Sequence, residues 1–247
     1  MKAMIFAAGV GSRLRPLTDH TPKALVKVGG VAMLERVILR LKAMGADEIV
    51  INVHHLGGQI VDFLHANNNF GLTIHISDET ALLLDTGGGL LHALPYLDGP
   101  DPVIVHNADI VTDVDLRALY AAHLDSHADA TLLVARRDTS RYLLLRRDDL
   151  RLQGWVNKKT GEVRPADCRP LEEGLEEWAF GGIHVLSPTL LRRLADEAVP
   201  GPFSIIPFYL SVCRTMDIRG LNLPCRWFDA GRPETLSAAE QWVTENE

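Results

Sequence analysis

Apolar and polar positions follow one another along this chain in two rhythms. Short, nearly continuous apolar runs, suited to strands buried on both faces, occur at Ala3 to Ala8, Glu48 to Val53, Leu72 to Ser77, Val103 to His106 and Ala130 to Ala135. Between them the apolar residues recur at helical spacing. Leu34, Val37, Ile38, Leu41 and Met44 predict a helix over Met33 to Met44, with Gly45 as its stop. Further helices are predicted from about Gly58 to Ala66, from the glycines at Gly87 to about Leu94, and from Leu116 to Leu124, where Asp115 is placed to cap. Strand and helix take turns, which predicts an α/β fold with a doubly wound, mostly parallel, Rossmann-like sheet.

Past Ala135 the rhythm shortens. Tyr142 to Trp155 reads as short strands joined by polar turns, with Arg146-Arg147-Asp148-Asp149 and Lys158-Lys159-Thr160-Gly161 as solvated hairpin tips. No Ser/Gly/Pro linker sets this stretch apart, so it predicts a small antiparallel excursion within one domain spanning 1–247. Glu177 to Leu186 is an apolar strand interrupted by Gly181-Gly182, Ser187-Pro188 opens a capped helix, and Phe203 to Leu210 predicts another.

Composition narrows the partners. With 47% hydrophobic residues over 247 positions the chain can bury a large core, yet no apolar run reaches the ~18 residues of a membrane span. Gly9, Arg13 and Arg15 break the first apolar run before any cleavage region, so it does not read as a signal peptide, and a cytoplasmic protein is expected. Cys168, Cys213 and Cys225 are odd in number and lack C-x-x-C spacing, which suits reduced thiols and speaks against zinc. His54 and His55 are adjacent at a strand end and point to opposite faces, so they make no metal pair. The net charge is −7, but residues 1–27 carry Lys2, Arg13, Arg15, Lys23 and Lys27 against Asp19 alone. A local positive excess on an acidic chain suits a pocket for a small anion, not a nucleic-acid track.

The first strand empties into the loop that holds most of this charge, Gly9-Val-Gly-Ser-Arg13-Leu-Arg15-Pro-Leu-Thr-Asp-His-Thr-Pro-Lys23. Glycines let a backbone approach a ligand closely, and a strand running into such a loop aims N–H groups beyond the sheet edge. Two common phosphate motifs are absent. The Walker pattern G-x-x-x-x-G-K-[ST] does not occur, and Leu14 stands where a dinucleotide fingerprint needs its third glycine.

The loop instead resembles the signature of the sugar-1-phosphate nucleotidyltransferases, L-A-A-G-x-G-[ST]-R-[LM]-x-P-L-T-x-x-x-P-K-x-[LM]. The likeness extends over nearly the whole chain. Asp85-Thr86-Gly87-Gly88-Gly89 is similar to the family's glycine-rich turn for the nucleotide base, and free N–H groups are expected there. Asn107-Ala108-Asp109 is similar to its N-G-D, with alanine in place of glycine. Phe180-Gly-Gly-Ile-His-Val-Leu186 resembles F-x-G-I-x-V-L, which lines the sugar pocket. Trp227-Phe-Asp229-Ala-Gly-Arg232-Pro resembles W-x-D-[IV]-G-T-P, with Arg232 where threonine is usual.

The resemblance implies Arg13 and Lys23 as catalytic residues. It implies Ala7, Ala8, Gly9, Gly11, Ser12, Arg13, Thr86, Gly87, Gly88 and Asn107 for the nucleotide, Gly182 and Trp178 for the sugar phosphate, and Asp109 and Asp229 as ligands of Mg²⁺. Asp113 and Asp115 are read as capping residues instead of further metal ligands. Residues 1–112 are expected to serve mainly the nucleotide and 113–247 mainly the sugar phosphate. Longer family members carry a lysine in an E-K-P motif, where this chain has Pro170-Leu-Glu-Glu. The implied substrates are an NTP and a sugar 1-phosphate, with no nucleic acid and no membrane. UTP with N-acetylmuramate 1-phosphate is the first expectation. Mannose- or heptose-1-phosphate guanylyltransferase, choline-phosphate cytidylyltransferase, with Trp155, Trp178, Phe203 and Phe208 as its aromatic candidates, and a catalytically silent nucleotide-sugar binder stay open. So does the oligomeric state.

Overall fold

The structure, a computed structural model, describes residues 1–168 and 174–246. The expectation attached to Pro170-Leu-Glu-Glu lies outside them. The first half runs β1 (Lys2–Phe6), β2 (Lys27–Val28), β3 (Val31–Ala32), α1 (Met33–Met44), β4 (Glu48–Val53), α2 (Gly57–Ala66), β5 (Thr73–Asp78), α3 (Asp85–Leu97) and β6 (Val103–Asn107). The second runs β7 (Ile110–Thr112), α4 (Leu116–Ser126), β8 (Ala130–Ala135), β9 (Arg141–Arg146), β10 (Leu152–Asn157), β11 (Glu162–Arg164), β12 (Leu175–Leu186), α5 (Pro188–Glu197), α6 (Ile205–Val212), β13 (Ile218–Leu221), β14 (Trp227–Asp229) and α7 (Pro233–Asn246).

A ten-stranded sheet carries the molecule. Its parallel centre is β5-β4-β1-β6, with β1 flanked by β4 and β6. Strand β12 pairs antiparallel with β6, β8 and β9, and the predicted excursion extends the sheet as the meander β9-β10-β11. The central strands are apolar on both sides because both faces are covered. Ala3, Ile5, Ile49 and Ile51 pack with Leu34, Ile38, Leu41, Ile60 and Leu119, from α1, α2 and α4. Met4, Val50, Val103 and Val105 point the other way, onto Leu90, Leu97, Leu190, Leu194 and Tyr209, from α3, α5 and α6. The period of two along each strand thus distributes one run of residues between two cores.

The predicted boundaries hold closely, with informative shifts. α1 occupies the expected residues and ends where Gly45 takes φ 108° and its N–H bonds back to Leu41 and Lys42. Asp115 caps α4 by accepting from the N–H groups of Arg117 and Ala118, and Ser187 caps α5 through Leu190. β1 stops at Phe6, two residues early, because the next two N–H groups leave the ladder for a side chain described below.

Candidate active site

Two cavities open side by side at the carboxyl ends of β1 and β6, where an open α/β sheet ordinarily presents its ligand site. The first, about 310 Å³, is lined by residues no later than Asp109, among them Ala7, Ala8, Gly9, Lys23, Asn52, Glu79, Thr86 and Asn107. The second, about 280 Å³, is lined by Asn107, Asp109, Asp229 and Gly182 together with Arg137, Arg141, Trp155, Phe180 and Trp227. Asn107 and Asp109 belong to both and form the partition.

The loop after β1 is held from below by a buried polar relay. Ala7 and Ala8 donate their N–H groups to Asn52 Oδ1 at 2.7 and 3.3 Å, Asn52 Nδ2 donates to Glu79 Oε1 at 2.7 Å, and Glu79 Oε2 accepts the N–H of Leu84 at 3.0 Å. Asn52 and Glu79 are both buried. Their bonds fix the end of β1 against β4 and β5 and leave the loop beyond free to take up its own shape. Gly11 then adopts φ +70°, where a Cβ would come within 2.9 Å of Thr18 Cγ2 and 3.0 Å of Lys23 Cβ. Thr18 donates its hydroxyl to the Gly11 carbonyl at 2.8 Å, closing the loop on itself. Ser12 and Arg13 lie on its exposed rim, and Lys23 stands on the turn Lys23–Leu25 that follows.

The charged groups converge across some two hundred residues of sequence. Lys23 Nζ makes an ion pair with Asp109 Oδ2, both side chains being largely sequestered. Asp109 and Asp229 are tied through their backbones, since the N–H of Ala230 donates to the Asp109 carbonyl at 2.9 Å and β14 pairs with β7 at Asp229 and Ile110. Gly231 marks the meeting point. A Cβ placed there would lie 2.7 Å from Asp229 Oδ1, 2.7 Å from Lys23 Nζ and 3.1 Å from Arg13 Nη2. The glycine is therefore needed for space. Gly182, at φ +71°, has a similar duty toward Asn107, whose Nδ2 would sit 2.8 Å from an added Cβ.

His106, next to Asn107, is fully buried with Nδ1 2.8 Å from the Asn107 carbonyl, and desolvation lowers its pKa to about 4. The side chains of opposite charge type that meet at the partition are Arg13 and Lys23 with Asp109 and Asp229.

Two expectations are corrected. The N–H groups of Gly87 and Gly88 are not free; both donate to the Phe203 carbonyl, at 2.8 and 3.1 Å. Added Cβ atoms at Gly87 and Gly88 would collide with Phe203 and the Gly201 carbonyl, and one at Gly89 would lie 2.6 Å from Glu79 Oε1. The run is small so that α3 can seat against the segment entering α6, and Thr86 completes the joint by accepting the Ile205 N–H at 3.0 Å. Thr86 and Asp85 line the first cavity; Gly87 and Gly88 are packed behind it. Trp178 is also misplaced by sequence. It is buried in the core beside Leu143 with the Arg136 guanidinium 4.1 Å above its ring, whereas Trp155 and Trp227 face the second cavity.

Sequence reasoning passed over Asn52, Glu79, Arg137 and Arg141. Asn52 had a signal, as a polar residue inside the apolar run Ile49-Val-Ile-Asn-Val53. The arginines had none, because charged residues before a short strand are ordinary surface composition.

Among the described residues no three His, Cys, Asp or Glu side chains gather as a metal cage. Two carboxylates beside an open cavity are what Mg²⁺ uses when phosphate oxygens and water complete its shell, so Asp109 and Asp229 fit that ion by donor type.

A family model described as nucleotidyl transferase matches residues 2–246. The chain is 47% identical over 245 residues to an N-acetylmuramate alpha-1-phosphate uridylyltransferase of Neisseria meningitidis, covering 97% of each chain. It is 32% identical to the protein of the same description from Caulobacter vibrioides, covering 98% of this chain and 97% of that one. The crystallised UDP-glucose pyrophosphorylase of Acinetobacter baumanii superposes with a TM-score of 0.77 at 17% identity, covering 99% and 94% of the two chains, a likeness of fold. On the family match across nearly its whole length, this chain belongs to the nucleotidyl transferase family.

Proposed function

We propose that this protein is a Mg²⁺-dependent uridylyltransferase that makes a UDP-sugar and pyrophosphate from UTP and N-acetylmuramate 1-phosphate. The observation that carries the reading is the convergence of Arg13, Lys23 and Asp229 on Gly231, with Lys23 paired to Asp109. The choice of UTP and of this sugar rests on the similarity to the two uridylyltransferases.

In the proposed reaction an oxygen of the sugar phosphate attacks the α-phosphorus in line, a new P–O–P bond forms, and the bond from the α-phosphorus to the bridging oxygen of the β-phosphate breaks. Two anions must meet, so neutralisation and positioning are what the protein contributes. The first cavity takes the nucleotide, with the loop Ala7, Ala8, Gly9, Gly11, Ser12 and Arg13 around its phosphates and Thr86 and Asn107 along its wall. Lys23, between the cavities, bridges the α-phosphate and the incoming phosphate. Asp109 and Asp229 hold Mg²⁺, which when bound supplies Lewis-acid stabilisation of the phosphate charge. A general base is not needed, because the acceptor phosphate is already ionised at pH 7. Residues 1–112 on this view serve mainly the nucleotide, and 113–247 mainly the sugar. A cytoplasmic setting accords with Cys168, Cys213 and Cys225 standing outside any disulfide among the described residues.

The test is pyrophosphate release with Mg²⁺ over a matrix of UTP, GTP, CTP, ATP and dTTP against N-acetylmuramate, mannose, heptose and glucose 1-phosphates and choline phosphate. UTP with N-acetylmuramate 1-phosphate should dominate, and EDTA should abolish it. A dominant GTP row would replace the uridylyltransferase reading, and an empty matrix would remove the enzymatic one.

A further inference from the structure

One wall of the second cavity carries charge that phosphate transfer at Lys23 does not use. Arg137 and Arg141 line it beside Thr139, Trp155 and Trp227. Neither has a carboxylate partner among the described residues, although their neighbours Arg136, Arg146, Arg147 and Arg164 are each in an ion pair. The Arg137 guanidinium lies 5.4 Å from the centre of the Trp227 ring, and Nη1 donates to the Trp227 carbonyl at 3.4 Å. The ring thus presets its fork. Arg141 makes no side-chain hydrogen bond within the described residues.

Their place follows from the sheet. Strand β6 pairs with Ile183–Leu186 of β12 and β9 pairs with Leu175–Trp178, leaving Ala179 to Gly182 between the two pairings. Ala179, Phe180 and Gly182 line the cavity along this stretch, which bulges, since Phe180 and His184 pair with Val134 and Leu132 of β8 and so set four steps of chain against two. Asn107 ends β6 and Asp109 follows it, at one end. Arg141 stands at the start of β9 at the other, two residues ahead of Leu143, which pairs with Trp178. Asp109 and Asp229 thus line the same cavity as the two arginines.

We propose that Arg137 and Arg141 form an anion-reading end of the acceptor pocket, which takes a carboxylate borne on the ring of an acidic sugar 1-phosphate. This rests on the nucleotidyltransferase reading above and names what selects the acceptor. A planar guanidinium suits a carboxylate, with two parallel N–H bonds. In a chain of net charge −7, with Asp109 and Asp229 in the same cavity, an acidic substituent would be repelled without such a counter-charge. N-acetylmuramate 1-phosphate carries this carboxylate on its lactyl ether; N-acetylglucosamine 1-phosphate is the same sugar without it.

The experiment compares kcat/KM for these two acceptors, with UTP and Mg²⁺, in the wild type and in Arg137→Gln, Arg141→Gln and Arg141→Lys. The wild type should favour the acidic acceptor. Arg141→Gln should lower the ratio of the two values by about 10- to 100-fold, chiefly through KM of the acidic acceptor, the size of one charge-assisted hydrogen bond. Arg137→Gln should lower it in the same sense, and Arg141→Lys should restore part of it. Equal losses on both acceptors, or an unchanged ratio, would overturn the assignment. If the wild type turns over neither acceptor with UTP, the substrate reading fails, and binding then decides the arginines separately. Quenching of tryptophan emission from Trp155 and Trp227 by the acidic acceptor should need at least about tenfold more ligand in Arg141→Gln than in wild type. Identical titrations would sink the proposal.

Discussion

On the proposed reading the chemistry turns on Lys23, which is in ion-pair contact with Asp109 and close to Asp229. Lys23→Ala should lower the rate of pyrophosphate release by about 10²-fold or more, comparable to deleting one donor from an oxyanion site. Near-normal turnover would remove Lys23 from the reaction. Gly231 gives a sharper geometric probe. In Gly231→Ala the new methyl would press on Asp229 and Lys23, so activity should fall by up to about 10²-fold while the thermal melt stays within a few degrees of wild type. Both residues are readable in the sequence as parts of motifs. Trp178 was not, since alternation along β12 leaves its neighbour Ala179 lining the cavity, and only the packing of the strand decides which of two adjacent residues faces a ligand.

Among the elements, β1 with its loop depends on β4 and β5 through the Asn52 relay. Asn52→Ala would leave two buried N–H groups and the Glu79 carboxyl oxygen without their partner. The cost should be about 2–4 kcal/mol, a fall in Tm of roughly 5–15 °C for a chain of this size, with a weakened apparent affinity for nucleotide. An unchanged melt would mean that water takes over these bonds. Strands and helices were largely readable because the apolar periods are strong and the caps at Gly45, Asp115 and Ser187 are chemically explicit. The three glycines at the start of α3 mark the limit. From sequence they look like a ligand cradle, whereas the Phe203 carbonyl, more than a hundred residues later, takes the N–H groups of Gly87 and Gly88; close approach was read correctly, and its partner was not.

At the scale of the molecule, buried histidines on both faces of the sheet couple folding to pH. His123 bonds to Thr131 and His184 to Tyr209, and desolvation lowers their pKa values to about 4 and about 3 from 6.5. Between the unfolded value and these folded ones the unfolded chain binds more protons, so stability rises with pH there. It is fully present above pH 6.5 and is lost as pH falls toward 4, by up to about 1.4 kcal/mol per pH unit for each histidine. Urea midpoints should drop steadily from pH 7 to 4.5; a flat profile would show that these side chains keep access to water.

The most direct measurement of the whole account is phosphorus NMR of UTP, N-acetylmuramate 1-phosphate and Mg²⁺ with wild type, Asp109→Ala and Asp229→Ala. Wild type should give equal amounts of a UDP-sugar diphosphate and free pyrophosphate, and the aspartate variants, or wild type after EDTA, should give neither at a comparable rate. Unaltered UTP with the wild type, or undiminished product with Asp109→Ala, would contradict it.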